Sequence, residues 1–364
     1  MEGIMLDRIG KRVELESALE LDDLVFYDTK SDPFEVYGLY NYRNETPSRR
    51  LPESVAAATS EKVVYRSLLT SGGRVRFMTD SPYIAIKCVM PHVNRLPHMS
   101  LSGTAGFDIY VDAEGSSRFV KLYKPDLETE NGYEGVKRFA SSEPRCVTIN
   151  FPSYNPVSEL YIGIKEGSSL SVGKPYSNKR PIVFYGSSIT QGACASRPGL
   201  IYENIISRNC NLDYINLGFS SSCLAEDAIV EYMASLDMSV FVSDYDHNAP
   251  TVEHLRNTHR KMYETIRAAH PDIPYIMLSK PEFVYDREDS AARRDVIIDT
   301  YRFAREKGDK WIYYIDGDSM VRGPHDDSCT VDGTHPSDLG MVRMADAVEC
   351  VLRRIMAERN DILN

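Results

Sequence analysis

The sequence lacks what several classes of protein require. No run of about 18 apolar residues occurs, so no transmembrane helix is expected. The first residues, Met1-Glu2-Gly3-Ile4-Met5-Leu6-Asp7-Arg8, show no charged stretch followed by an apolar one. A secretory signal would have that order, so a cytoplasmic location is the expectation. No dense block of Lys and Arg is present, and the net charge is −11. Sequence-independent binding to nucleic acid needs a basic footprint, so neither a nucleic-acid nor a membrane partner is expected. The seven cysteines are Cys88, Cys146, Cys194, Cys210, Cys223, Cys329 and Cys350. Their number is odd and no two sit at Cys-x-x-Cys spacing, which argues against a disulfide framework and a cysteine zinc site. Scattered free thiols suit a reducing compartment. Histidines at zinc spacing are also missing: His254 and His259 lie five apart and do not stack on one helical face. No metal and no cofactor are expected.

What is present is ordinary in bulk and informative in order. The chain has 364 residues, 26% charged and 42% hydrophobic. That length suits two domains and needs no staples to hold a core. From about residue 20 to 170 the pattern is one of strands and turns. Val75–Phe77, Tyr83–Cys88, Cys146–Phe151 and Leu160–Ile164 read as strands. Phe107–Val111 and Phe119–Tyr123 flank Asp112-Ala113-Glu114-Gly115-Ser116-Ser117 as a hairpin. Many short strands divided by Gly, Pro, Ser and Asn predict a β-sandwich. After a polar link through Lys174–Lys179 the pattern changes to strand, loop, helix, repeated. Short apolar runs at Ile182–Tyr185, Tyr214–Leu217, Ser239–Val242, Tyr275–Leu278 and Trp311–Ile315 suit a parallel sheet buried on both faces. Val252, Leu255, Met262 and Ile266 share a helical face, as do Val296, Ile297, Tyr301 and Ala304. Met341, Met344, Val348, Val351, Leu352 and Ile355 mark a last helix, with Pro336-Ser337 as its start signal. The expected division is a β-sandwich domain over 1–175 and an α/β domain over 176–364.

Chemistry-bearing residues cluster at the predicted strand ends, where ligands bind in doubly wound sheets. Gly186-Ser187-Ser188-Ile189-Thr190-Gln191-Gly192 follows the first strand directly. Asp332-Gly333-Thr334-His335-Pro336 precedes the last helix. A serine hydroxyl becomes a useful nucleophile when a base takes its proton, and histidine is the usual base. An acid three residues ahead of that histidine can fix its tautomer. Asn216-Leu217-Gly218 and Asp244-Tyr245-Asp246-His247-Asn248 close the second and third strands. They offer backbone and amide donors for an oxyanion, although Gly and Asn are also common loop residues.

The order Ser, Gly, Asn, Asp-x-x-His resembles the SGNH (GDSL-type) hydrolase family from Pro181 to about Val351. That resemblance implies a flavodoxin-like three-layer α/β/α fold. It implies Ser188 as nucleophile, His335 as base and Asp332 as the acid of a triad. It further implies an oxyanion hole of the Ser188 and Gly218 amides and the Asn248 side chain. The usual Gly-Asp-Ser-Leu reads Gly186-Ser187-Ser188-Ile189 here, and the usual Gly-x-Asn-Asp reads Asp246-His247-Asn248-Ala249. Gly106-Phe107-Asp108-Ile109-Tyr110 is similar to a Gly-x-Asp-Leu-Tyr motif in the N-terminal domain of one subfamily, where folding or domain docking is its expected role. Two-domain carbohydrate esterases share the order of a jelly-roll-like β domain and then an SGNH domain. The implied activity is hydrolysis of O-acyl, above all O-acetyl, esters of a small or oligosaccharide substrate. The alternatives are an esterase, thioesterase or lysophospholipase for longer chains, and a non-catalytic carbohydrate-binding protein. Arg197 and His247 are further candidates to line the pocket, each with a structural alternative.

Overall fold

A computed structural model describes residues 10–113, 116–281 and 289–359. The opening residues through Arg8, and Glu114-Gly115 of the predicted hairpin turn, lie outside the described residues. The N-terminal half holds two antiparallel sheets. In one, the strands run in the order Arg12–Val13, Leu24–Asp28, Glu159–Lys165, Tyr83–Val89, Gly132–Arg138. In the other, the order is Leu170–Val172, Arg74–Thr79, Arg145–Asn150, Phe107–Ala113, Ser116–Tyr123, with Glu35–Tyr37 also pairing on Arg74–Thr79. Side chains of both sheets, among them Phe77, Ile84, Ile86, Phe107, Ile149 and Ile162, form one buried core. This is the expected β-sandwich.

Two features escape the sequence pattern. The helices Glu53–Thr59 and Glu61–Ser67 stand where strands and turns are expected. Each is too short to show a full apolar stripe, and the second depends on Ser60, whose side chain accepts from the Val63 amide. The strand Gly132–Arg138 carries two glycines and is half-buried along most of its length, so it shows no alternation.

The C-terminal half is a five-stranded parallel sheet. Its order is Tyr214–Gly218, Ile182–Gly186, Val240–Asp244, Tyr275–Leu278, Ile312–Ile315. In chain order this is 2-1-3-4-5, the flavodoxin-like arrangement. Helices Asp227–Ser235, Val252–Ala269 and Ser290–Glu306 cover one face through Ile229, Leu255, Ile266 and Ile297. Helices Tyr202–Cys210 and Asp338–Glu358 cover the other through Ile206, Met341, Met344 and Val348. The first strand is flanked by the second and the third, and Gly186 pairs in register with both Gly218 and Asp244. The chain therefore leaves three adjacent strands at one level. A crevice opens there, at the point where strand order reverses. No helix among the described residues is long and apolar enough to cross a membrane.

Candidate active site

Gly186 ends the first strand because nothing larger fits. A Cβ there would stand 2.0 Å from Thr190 Oγ1 and 2.5 Å from the Asp244 carbonyl oxygen. The chain turns at once: the Gln191 amide donates to Ser187 O at 3.0 Å and the Ala193 amide to Ser188 O at 2.9 Å. Ser188 sits on this turn, 7% exposed. Its own amide meets no acceptor among the described residues.

The last helix, Asp338–Glu358, is capped by Ser337, whose side chain accepts from the Gly340 amide. The loop before it doubles back, with Val331 N and Thr330 Oγ1 both donating to His335 O at 3.0 Å. This sets His335 Nε2 3.0 Å from Ser188 Oγ and His335 Nδ1 2.8 Å from Asp332 Oδ2. Asp332 Oδ1 accepts from the amides of His335 at 2.8 Å and Thr334 at 3.0 Å. Partial burial would raise the Asp332 carboxyl, but the His335 ring and these two amides outweigh it and bring it down to about 2. The carboxylate thus stays charged across the working pH range. Hydroxyl, imidazole and carboxylate stand in the order that proton transfer from a serine requires.

The oxyanion donors need one correction. The second strand runs through Gly218, whose amide donates to Asn216 Oδ1 at 2.9 Å. That N–H is buried and engaged, so it is not offered to a substrate. The loop just beyond supplies the alternative. The Ser220 amide donates to Gln191 Oε1 at 2.9 Å and the Ser222 amide to Phe219 O at 2.9 Å. Between them Ser221 is exposed, at φ 54°, and its amide has no acceptor among the described residues. The loop lies against the serine turn through that Ser220–Gln191 bond, and the Tyr154 hydroxyl donates to Ser188 O at 3.2 Å from the other side. It lies against the third strand end as well: Asn248 Oδ1 accepts from the Cys223 amide at 3.4 Å. That bond leaves Asn248 Nδ2 as a donor. A positive φ at a serine is the one signal for this position, and sequence does not display it.

The β-sandwich builds one side of the site, through residues that the sequence pattern does not single out. Arg50 is 1% exposed and reaches across the domain boundary. Its Nη1 donates to the carbonyls of Asn216 at 3.0 Å and Gly218 at 2.7 Å, and its Nη2 to Arg66 O at 2.8 Å. Arg66 Nε donates in turn to Ser220 O. The loop that carries Ser221 is therefore held from the other domain. Ser71 Oγ donates to Gln191 O at 2.7 Å. The His98 ring lies 5.4 Å from that of His335, and Tyr65, His92 and Asn94 form a bonded cluster near Tyr154.

The Gly106–Tyr110 motif is a docking device. Asp108 is fully buried; its Oδ2 accepts from Arg197 Nη1 at 2.8 Å and from the Gly199 amide at 2.9 Å. Asn150 Nδ2 donates to Asp108 Oδ1 at 2.7 Å. Arg197 also donates to the Tyr110 hydroxyl and packs 3.9 Å from the Phe119 ring. Its guanidinium is thus turned into the sandwich rather than into a substrate pocket, which settles the choice in favour of the structural role. His247 lies half-buried in the turn after the third strand, beside Asp244 and Asp246. Arg293 Nη1 ties that turn down through the carbonyls of Asp246 and Ala249, both at 2.8 Å.

Comparison with known proteins agrees with this architecture. Residues 179–353 match the GDSL-like lipase/acylhydrolase family. Residues 24–170 match the N-terminus of SGNH-hydrolase-type esterases. No curated protein matches. A crystal structure described as a GDSL-like lipase from Bacteroides ovatus is 27% identical over 92% of this chain and 98% of that one, with a TM-score of 0.83. The salicylyl-acyltransferase SsfX3 of a tetracycline biosynthetic pathway is 18% identical over 93% of this chain and 100% of that one, with a TM-score of 0.73. A family two carbohydrate esterase from Clostridium thermocellum, solved with cellohexaose, is 15% identical over 79% of this chain and 93% of that one, with a TM-score of 0.57. At these last two identities the likeness is one of fold.

Proposed function

We propose, from the premise that this chain belongs to the GDSL-like lipase/acylhydrolase family and carries the N-terminal module of SGNH-type esterases, that it removes small O-acyl groups, acetyl above all, from carbohydrates. It is a carboxylic-ester hydrolase. In the proposed mechanism His335 takes the proton of Ser188, whose oxygen attacks the ester carbonyl. The amides of Ser188 and Ser221 and the Asn248 side chain receive the oxyanion. His335 then gives its proton to the leaving alcohol. Water, activated by the same imidazole, releases the acid from Ser188, and Asp332 orients the ring throughout.

The observation that carries the substrate reading is the rim from the β-sandwich. It presents His98, His92, Asn94 and Tyr65, which is 38% exposed. Rings with hydrogen-bonding tips suit a sugar, which has an apolar face and polar edges. A long acyl chain would call for an apolar groove. The two-domain fold shared with a family two carbohydrate esterase points the same way.

The test is mass spectrometry of a partly acetylated oligosaccharide pool incubated with the protein and with Ser188→Ala. Loss of acetyl groups with the unaltered protein alone supports the reading, and the residual pattern identifies the positions attacked. If aryl acetate is cleaved and the sugar acetates persist, the carbohydrate assignment fails and the serine mechanism stands.

A further inference from the structure

The sequence holds no local metal motif, yet the fold brings four metal-ligating side chains together from three distant segments. His98 comes from the β-sandwich, Cys194 from the loop after the Ser188 turn, and Asp332 and His335 from the loop before the last helix. One ligand atom from each lies within 4.8 Å of every other. The contacts among them are specific. Cys194 Sγ donates to His98 O at 3.4 Å, and the His98 and His335 rings are tilted by 33° at 5.4 Å. Cys194 is held at φ 67°, a region that costs a side-chain-bearing residue about 1–2 kcal/mol.

We propose that His98, Cys194, Asp332 and His335 bind a zinc ion, and that zinc reversibly silences the hydrolase. Two imidazoles, a thiolate and a carboxylate are the donor types zinc prefers, and four is the number it takes in a closed site. Bond lengths of about 2.0–2.3 Å put tetrahedral ligands about 3.3–3.8 Å apart. The present spread therefore closes by about 1 Å, within reach of rotation at His98, which is exposed. On binding, the Cys194 thiol releases its proton to solvent and His335 ligates through a neutral ring nitrogen. Either nitrogen suffices for inhibition. Nε2 is the one that takes the Ser188 proton, and Nδ1 is the one that Asp332 orients. Magnesium and calcium, which prefer sets of oxygen ligands, have little affinity for these donors.

The inhibitory consequence rests on the proposed triad, whereas the binding does not, so the experiment reads them separately. Full-length protein treated with a chelator is titrated with zinc chloride in an aryl acetate assay, alongside His98→Ala and Cys194→Ser. The expected result is inhibition by zinc, recovery with chelator and no response to magnesium. Cys194→Ser retains turnover, His98→Ala is read against its own zinc-free rate, and both need at least about tenfold more zinc, since even partners outside the ligand shell alter metal affinity by about 10–100-fold. Binding is measured directly with cobalt(II), whose thiolate charge-transfer band appears with the unaltered protein and is absent in Cys194→Ser. A cobalt signal in a protein without esterase activity keeps the site and removes the triad reading. Zinc inhibition equal in all three proteins, or no cobalt–thiolate band in the unaltered protein, overturns the proposal.

Discussion

Asp108→Asn tests how the two domains are joined. The substitution keeps the shape of a fully buried side chain and removes its charge. Arg197 Nη1, the Gly199 amide and Asn150 Nδ2 all donate to the native carboxylate. An amide cannot accept from all three with both of its ends, since one end is itself a donor. The Arg197 side chain is 18% exposed, so water compensates it little. Removing one partner of such a pair costs about 3–5 kcal/mol. Unfolding entropy is about 2.1 cal/mol/K per residue. For 364 residues melting as one unit, the loss therefore converts to a fall in Tm of about 4–7 °C. Scanning calorimetry supplies the measurement, and a double-mutant cycle with Arg197→Met isolates the pair. The double variant should recover part of the loss, because it no longer strands a charge. A single variant that melts within about 1 °C of the parent would refute the account of Asp108 as an interdomain anchor.

Further expectations concern the site and its surroundings. Asn248→Ala should lower kcat on aryl acetate by about 10²–10³-fold with little change in Tm, and an unaltered kcat would remove Asn248 from the oxyanion hole. Ser221→Gly keeps the backbone amide and relieves the left-handed backbone. It should therefore preserve kcat and add about 1–2 kcal/mol of stability in denaturant titration; a large loss of rate would assign the hydroxyl a role. His259 is buried against Thr300 Oγ1 at 2.9 Å, and burial lowers its pKa to about 3. Below about pH 6.5 the unfolded chain takes up a proton that the folded one refuses. Stability should then fall by about 1.4 kcal/mol per pH unit from this residue as pH drops towards 3, and His259→Gln should show a correspondingly shallower slope. An identical slope in the variant contradicts the assignment.

The parallel strands were legible because burial on both faces forces a short apolar run such as Ile182-Val183-Phe184-Tyr185. Asp332 and His335 were legible because the contact between them is local, three residues apart. Gly218 illustrates the opposite case. Glycine at a strand end reads as a donor loop, but here the strand continues through it and Asn216 takes its amide. In this loop the amide without an acceptor among the described residues is that of Ser221, and nothing about a serine announces a positive φ. Arg50, Tyr154 and His98 were invisible for another reason. Each acts on a partner in the other half of the chain, and no periodicity encodes contacts between domains.

The reach of Arg50 also bears on how such a protein can be recombined. The polar linker between Val172 and Ile182 looks like a place to cut, and a chimera joined there keeps two intact folding patterns. It does not keep the guanidinium that feeds the Asn216 and Gly218 carbonyls at the mouth of the crevice. A C-terminal half grafted onto a foreign sandwich would carry the Ser221 loop with its anchor missing. The heritable module is accordingly the pair. Shuffling among relatives should preserve active enzymes only when residue 50 and the strand ending at Gly218 come from the same parent.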